Sequence, residues 1–380
     1  MAVAREVVED LLRIVDVRID GGRPWDIQLH DERLFPRVLA QGTLGLGESY
    51  MDGWWDCDAL DEMCCRAISA HLDERFAFSW RNLFALAGAL VLNRQTPRRS
   101  RRVGEEHYDL GNDFFEAMLD PWMQYSCAVF REGDDLAAAQ QRKLEMICQR
   151  LQLRPGLRLL DIGCGWGGLA KYAAENYGCS VVGITISHEQ QQYAARWCDG
   201  LDVEIELRDY REVKGTFDRA VSIGMVEHVG FKNYRTYLRA IANSLGKEGG
   251  FLCHGICNPV SSFQLDPWIR RYIFPNSVLP SLSRLAKAAE GLFLIENVLN
   301  FGPHYDPTLM AWNENFCSTW PRFAPRYSER FRRMWRFYLL SCAGGFRARS
   351  LQVYSILFAK SGASRGSEAP ITPMQSLQPA

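Results

Sequence analysis

The sequence holds no apolar run long enough to cross a bilayer as a helix. The longest, Leu83 to Leu92, is about half the length that a span needs. It has almost no net charge, −1 at pH 7, so nothing in the composition draws it toward nucleic acid. Twelve cysteines are present but no paired CxxC motif. They are scattered singly except for Cys64-Cys65, which indicates neither a zinc site nor a disulfide framework. Cys253 and Cys257 are two isolated thiols and make a poor metal site, so no metal is expected. The opening stretch, Met1 to Asp10, is charged and lacks the apolar core of a signal peptide, which points to a reducing cytoplasm. No Ser/His/Asp or Cys/His arrangement stands out, so covalent catalysis is not expected. There is no internal repeat.

What is present centres on Arg158 to Ala170. Apolar Leu159, Leu160 and Ile162 surround Asp161, and four glycines then fall within six positions, at 163, 165, 167 and 168. That reads as a buried strand entering a turn whose backbone approaches a ligand closely. A helical stretch, Leu169 to Tyr177, follows, and Ser180 to Thr185 is a second strand. Strand, glycine loop, helix and strand make a βαβ unit with its loop where nucleotide-like ligands bind. The GxGxxG spacing alone is weak evidence for a dinucleotide. Asp161 argues against a pyrophosphate, because a carboxylate before the loop repels phosphate and suits a cation. S-adenosylmethionine carries an ammonium and a sulfonium and no phosphate, and the LDIGCGWG spelling is similar to the first motif of the methyltransferases that use it.

The length of 380 residues suggests two domains. Residues 1–100 read as a smaller, mainly helical unit. It has short helices over Val7 to Val15 and Arg33 to Ala40, a strand at Ile27 to His30 and a glycine- and aromatic-rich loop from Gly42 to Asp56. A helical region follows from 58 to 93. Leu83 to Leu92 is followed by Arg94, Arg98, Arg99, Arg101 and Arg102, and an apolar helix beside an arginine cluster suits an anionic membrane surface as well as it suits a core helix with a solvated linker. Residues 101–360 alternate strands and helices, the pattern of an α/β domain with a mostly parallel, Rossmann-like sheet. Further strands are expected at Val203 to Leu207, Arg219 to Ile223, Gly250 to His254 and Gln352 to Phe358, with helices at Glu189 to Trp197, Tyr234 to Leu245 and Arg326 to Gly344. The Pro-, Trp- and Phe-rich stretch 258–320 reads as a lid or pocket wall, and 361–380 as a disordered tail.

In a parallel sheet the unusual residues share one edge: Gly163 ends the first strand, Thr185 the second, Asp209-Tyr210 follows the third, Glu227-His228 the fourth, and His254 ends the fifth. A glutamate and two histidines beside a cationic cofactor outline an acid–base site. The second strand ends without the acid that usually binds ribose; Thr185 and Gln190 offer a hydroxyl and a carboxamide instead.

Many separate stretches then carry one resemblance, in order: GTLGLGESYMDGWWDCDALD, EEHYDLGNDFF, LDPWMQYSCAVF, LDIGCGWGGLA, VVGITISHEQQ, GMVEHVGFKNY, DPWIRRYIFPN, FGPHYD and CAGGFRAR. From about residue 7 to residue 360 the chain resembles the cyclopropane-fatty-acyl-phospholipid synthases. The resemblance implies a Rossmann-like S-adenosylmethionine methyltransferase sheet with a smaller N-terminal lipid-binding domain. It implies methylation of the cis double bond of an unsaturated phospholipid acyl chain, a carbocation on that chain, and ring closure after a bound bicarbonate takes a proton. Carried over, the bicarbonate ligands are Glu227, His254 and Tyr305, with backbone contacts from Cys127 and Ile256. The cofactor contacts are Tyr108, Ser126, Gly163, Gly165, Thr185, Gln190, Asp209 and Tyr210, with Asp161 and Gly167 completing the loop. A homodimer at the inner face of the membrane is also implied.

A carbocation must be met by faces that stabilise it without bonding to it, and aromatic residues, 12% of the chain, supply Tyr125, Phe130, Phe274 and Trp312. Most of that aromatic content is ordinary core. The chain departs from the expected pattern at Gly255 and Cys257, where threonine and glycine are expected, and at Pro303-His304, where small and acidic residues are expected. Rival readings are a relative that leaves a methyl branch or methylates a small amine, and a non-catalytic lipid- and cofactor-binding protein.

Overall fold

The computed structural model describes residues 2–72, 110–261, 265–275 and 277–362. These fall into two compact units. Tyr108, the run Leu83 to Leu92, the arginines at 94–102 and the tail beyond 362 lie outside the described residues.

The smaller unit joins residues 2–72, 265–275 and 305–351, so two later segments belong with the N-terminal one. Its helices are Ala2–Ile14, Leu34–Gln41, Thr43–Met51, Leu60–Ser69, Pro267–Tyr272, Glu329–Arg347 and most of Gly302–Phe323. A short antiparallel ladder joins β1 (Gln28–Leu29) to β2 (Trp55–Asp56). The core is aromatic: Tyr50 meets Trp55 edge-on at 5.0 Å, and Trp268 meets Phe337 at 4.6 Å. The stretch expected as a glycine-rich loop is largely the helix Thr43–Met51. Its glycines serve close packing rather than a turn. A β-carbon on Gly45 would lie 2.5 Å from the Arg37 carbonyl oxygen, and one on Gly47 would lie 2.4 Å from the Trp268 indole. Burial of this face outweighs the low helix propensity of glycine.

The larger unit, residues 110–261, 277–304 and 352–362, is built on one seven-stranded sheet. Its strands are β3 (Arg158–Ile162), β4 (Ser180–Thr185), β5 (Val203–Leu207), β6 (Phe217–Ile223), β7 (Leu245–Cys257), β8 (Phe293–Asn300) and β9 (Gln352–Lys360), in the order β5-β4-β3-β6-β7-β9-β8. The first five in that order are parallel, and β9 runs antiparallel to both β7 and β8. Parallel neighbours require crossovers, supplied by the helices Gly168–Tyr177, His188–Trp197 and Tyr234–Ser244. The chain winds outward from β3 through β4 to β5, and then from β6 to the other side. The switch point therefore lies between β3 and β6, where open α/β sheets form their ligand crevice.

Two differences from the sequence reading have physical causes. The stretch 258–320 is not one lid: it contains the helices Pro267–Tyr272 and Leu282–Ala289 and the whole of β8. As the sheet's edge strand, β8 leaves Leu294, Ile295 and Val298 exposed and shifts register between Ile295 and Asn297, so it carries no alternating pattern. The fifth parallel strand runs on to Cys257 because β9 pairs with it as far as Gln352.

Candidate active site

The strand β3 delivers a buried Asp161 and then a loop that only glycine can make easily. Gly163, Gly165 and Gly167 all have left-handed backbone, with φ of 78°, 56° and 86°. The N–H groups of Gly163 and Cys164 both donate to the Ile184 carbonyl, which ties the loop to β4. A β-carbon built on Gly165 meets nothing within 4 Å, so open space lies over the loop there. Gly168 serves packing instead: a β-carbon would come within 1.9 Å of the Trp122 carbonyl oxygen. Burial pushes the Asp161 carboxyl up to about 7, and its Oδ2 has no hydrogen-bond partner among the described residues. A buried acceptor short of donors, beside a loop with room above it, suits a ligand that brings its own ammonium.

The next strand ends supply the other predicted contacts. Thr185 Oγ1 donates to Gln190 Oε1 at 2.9 Å, and the Ser187 hydroxyl caps the helix that carries Gln190. Asp209 caps a short turn through the Arg211 N–H at 2.9 Å, while the Tyr210 ring packs edge-on against Tyr237 at 5.2 Å. Asp209 thus lies at the sheet edge and the Tyr210 ring in the core. Ser126 is held from the helix Leu136–Arg150: Lys143 Nζ donates to its hydroxyl at 2.8 Å and Gln140 Nε2 to its carbonyl at 2.9 Å. A β-carbon on Gly224, just past β6, would lie 4.0 Å from that of Ser126, and one on Gly163 would lie 3.1 Å from Met225. The Ser126 segment and the ends of β3 and β6 therefore converge.

Glu227 and His254 meet the same short stretch of β7. Glu227, on the single helical turn Val226–Val229, accepts the Ile256 N–H at Oε1, 2.6 Å away. The other oxygen, Oε2, is buried without a partner among the described residues, and burial pushes the carboxyl up to about 7. His254 is 1% exposed, with neither ring nitrogen hydrogen-bonded to any described residue. Burial, with the charges of Lys143 and Arg150, brings its imidazole down to about 3, so it is neutral. The two side chains share no hydrogen bond; the carboxylate reaches the strand two residues beyond the histidine. His228 turns away from this pair: its Nδ1 lies 3.1 Å from Ser277 Oγ.

Cys127 is buried, with its thiol directed at the carbonyls of Ala128 and Phe301 at 3.3 and 3.5 Å. Burial holds Cys253 and Cys257 above the usual thiol range. Tyr305 belongs to the smaller unit, where it is buried and meets Trp312 at 5.9 Å and Phe346 at 4.6 Å. Trp312 and Phe274 belong to that unit too, whereas Tyr125 and Phe130 belong to the larger one. The departures from the expected pattern have local roles. A β-carbon on Gly255 would lie 2.6 Å from Val226 and 3.1 Å from Glu227 Oε1, so glycine keeps room beside the carboxylate. His304 Nδ1 accepts the Phe130 N–H at 3.3 Å, which fastens the segment that carries Cys127. The sequence reading missed Gln140, Lys143 and Arg150; their spacing of three and seven residues on one buried helix face is the signal that could have found them. Among the described residues no group of His, Cys, Asp and Glu is arranged to hold a metal ion, and no helix is long and apolar enough to cross a membrane.

Residues 95–356 match the family described as mycolic acid cyclopropane synthetase. The cyclopropane-fatty-acyl-phospholipid synthase of Escherichia coli K12 is 51% identical over 93% of both chains. The chain belongs to this family. It is an S-adenosylmethionine-dependent methyltransferase. Among more distant members, the tuberculostearic acid methyltransferase UfaA1 of Mycobacterium tuberculosis is 33% identical over 87% of this chain and 82% of its own. The cyclopropane synthase MmaA2 of the same organism has a solved structure that superposes with a TM-score of 0.65 at 31% identity. That match covers 70% of this chain and all of the other. The family members share the Rossmann-like sheet, and the N-terminal helical part accompanies it.

Proposed function

We propose that this enzyme converts the cis double bond of an unsaturated phospholipid acyl chain into a cyclopropane ring. The observation that carries the reading is the pair Glu227 and His254, buried beside β7 with polar atoms that no group among the described residues satisfies. S-adenosylmethionine supplies an electrophilic methyl group. Asp161, the glycine loop, Thr185, Gln190, Ser126, Asp209 and Tyr108 would hold it, with Tyr210 contributing through its backbone because its ring lies in the core. The alkene π electrons form the bond to that methyl carbon as its bond to sulfur breaks, which leaves a cation on the acyl chain. Loss of one proton from the new carbon and closure of the second C–C bond complete the ring.

The base site fits a small planar oxyanion that carries its own O–H. Glu227 Oε2 is an unsatisfied acceptor for such a hydroxyl, and a neutral His254 offers one N–H to an anionic oxygen. Bound there, bicarbonate would supply the base for the released proton. Glu227 and His254 would hold it, with backbone groups of Cys127 and Ile256. The Ile256 N–H is already given to Glu227, so Ile256 acts through the carboxylate or through its carbonyl. No protein nucleophile is required, and the cysteine thiols, kept protonated by burial, do not compete for the cation.

The enzyme is read as cytoplasmic, a homodimer held peripherally at the inner face of the membrane. A second reading, a methyl-branched rather than cyclic product, draws support from the relative named a tuberculostearic acid methyltransferase. Incubation with vesicles of unsaturated phospholipid and methyl-labelled S-adenosylmethionine tests the lipid reading. Label should enter the lipid fraction and remain absent with saturated vesicles; label in saturated lipid or in small amines would overturn it.

A further inference from the structure

The helix Leu136–Arg150 turns an unusual face inward. Gln140 and Lys143 are fully buried and Arg150 is 8% exposed, at a spacing that lines all three along one stripe. Gln140 and Lys143 grip Ser126, the neighbour of Cys127. Arg150 donates to the hydroxyl and carbonyl of Ser355 and to Asn297 Oδ1 at 2.9 Å. Ser355 is the residue directly opposite His254 in the ladder between β7 and β9. The two cations therefore bracket His254, one through the Ser126 segment and one through Ser355.

The charges on this face do not balance. Asp120, whose oxygens accept the N–H groups of Trp122 and Gln124, is the carboxylate that acts on Lys143, so one negative charge faces two cations. Among the described residues no carboxylate acts on Arg150, whose partners there are neutral oxygens. Glu145, on the same helix, faces Tyr172 and Tyr177 instead. A buried cation without a counter-charge is costly, and an anion bound nearby would offset that cost. Burial brings Lys143 down to about 8 and Arg150 down to about 10, and both charges oppose protonation of His254.

We propose that Lys143 and Arg150 are positioning residues whose buried charges make the His254 end of β7 a site for a small singly charged oxyanion. This rests on the reading of bicarbonate as the base. Their field favours the anion over water or neutral carbonic acid and keeps His254 in the neutral form that donates one N–H.

The test uses the full chain in carbonate-depleted buffer, with bicarbonate titrated against chloride at equal ionic strength. Two readouts run in parallel: the rise in Tm on binding, and turnover on unsaturated vesicles. Arg150→Gln and Lys143→Gln keep a hydrogen-bond donor and remove the charge, while Arg150→Lys keeps the charge. Expected is a Tm response to bicarbonate and not to chloride in the parent. Its midpoint should be raised about tenfold in each glutamine variant, with most of that recovered in Arg150→Lys. The half-saturating bicarbonate in turnover should move with it, by more than the rate at saturation falls. An unchanged midpoint in folded glutamine variants, beside a bicarbonate-responsive parent, would overturn the role of the two cations alone. A parent indifferent to bicarbonate in both readouts would overturn the base assignment and this proposal with it. Should the glutamine variants not fold, the parent carries the test. Nitrate, planar and singly charged, must then raise the half-saturating bicarbonate while neutral acetamide must not, and equal effects would count against the proposal.

Discussion

Burial holds the Glu227 carboxyl near 7, against 4.5 as its ordinary value. The folded chain therefore keeps the proton more tightly than the unfolded chain between those values, and stability is lost as pH rises through that window. Glutamine does not titrate. In bicarbonate-free buffer, Glu227→Gln should gain Tm relative to the parent between about pH 5 and pH 8, by a few degrees. His254 titrates in both proteins and drops out of the comparison. A difference that stays flat with pH would show that the carboxyl is not held near 7. The same variant should lose at least about tenfold in initial rate, because an amide brings its own donors to a place that needs an acceptor. Cys127→Ser keeps the backbone N–H and should retain substantial activity. A dead Cys127→Ser beside an active Glu227→Gln would make the thiol the group to explain.

At the scale of elements, the glycine loop separates binding from folding. Gly165 has open space around it and φ of 56°, so Gly165→Val strains the loop and fills the space above it. Loss of S-adenosylmethionine binding by calorimetry, in a protein that stays folded, is the expected result. Gly168→Ala meets the Trp122 carbonyl and should lower Tm instead. Retained affinity in Gly165→Val would put the ligand elsewhere. The elements around this loop were legible because their signals are local: β3, β4 and β5 have the expected limits, since buried parallel strands read as apolar runs between glycine and polar turns. The helix Thr43–Met51 was not legible, because Gly47 answers to Trp268, more than two hundred residues away. The edge strand β8 hid its period by exposing apolar side chains. Asp161, Glu227 and His254 were visible as unusual residues at strand ends. The cationic face of Leu136–Arg150 was not, since Lys143 and Arg150 look like surface residues until the burial of their helix is known.

For the whole molecule, the proposed substrate lies in a bilayer while the sheet and its site belong to a chain whose described helices do not cross one. From the sequence pattern of Leu83 to Leu92 followed by five arginines, we propose that docking rests on the N-terminal part and this basic run. Each arginine near an anionic surface contributes about 1 kcal/mol. Replacing Arg98, Arg99 and Arg102 by glutamate should weaken sedimentation with anionic vesicles, most at low salt, and leave cofactor affinity intact. Unchanged sedimentation across a salt series would remove these residues from the docking surface. The central claim is that the enzyme closes a ring, and product mass cannot test it because a methylene branch adds the same atoms. Proton NMR of lipid recovered after turnover with carbon-labelled S-adenosylmethionine separates the two. The account predicts upfield cyclopropane methylene signals coupled to the labelled carbon; olefinic methylene or branched methyl signals in their place would contradict it.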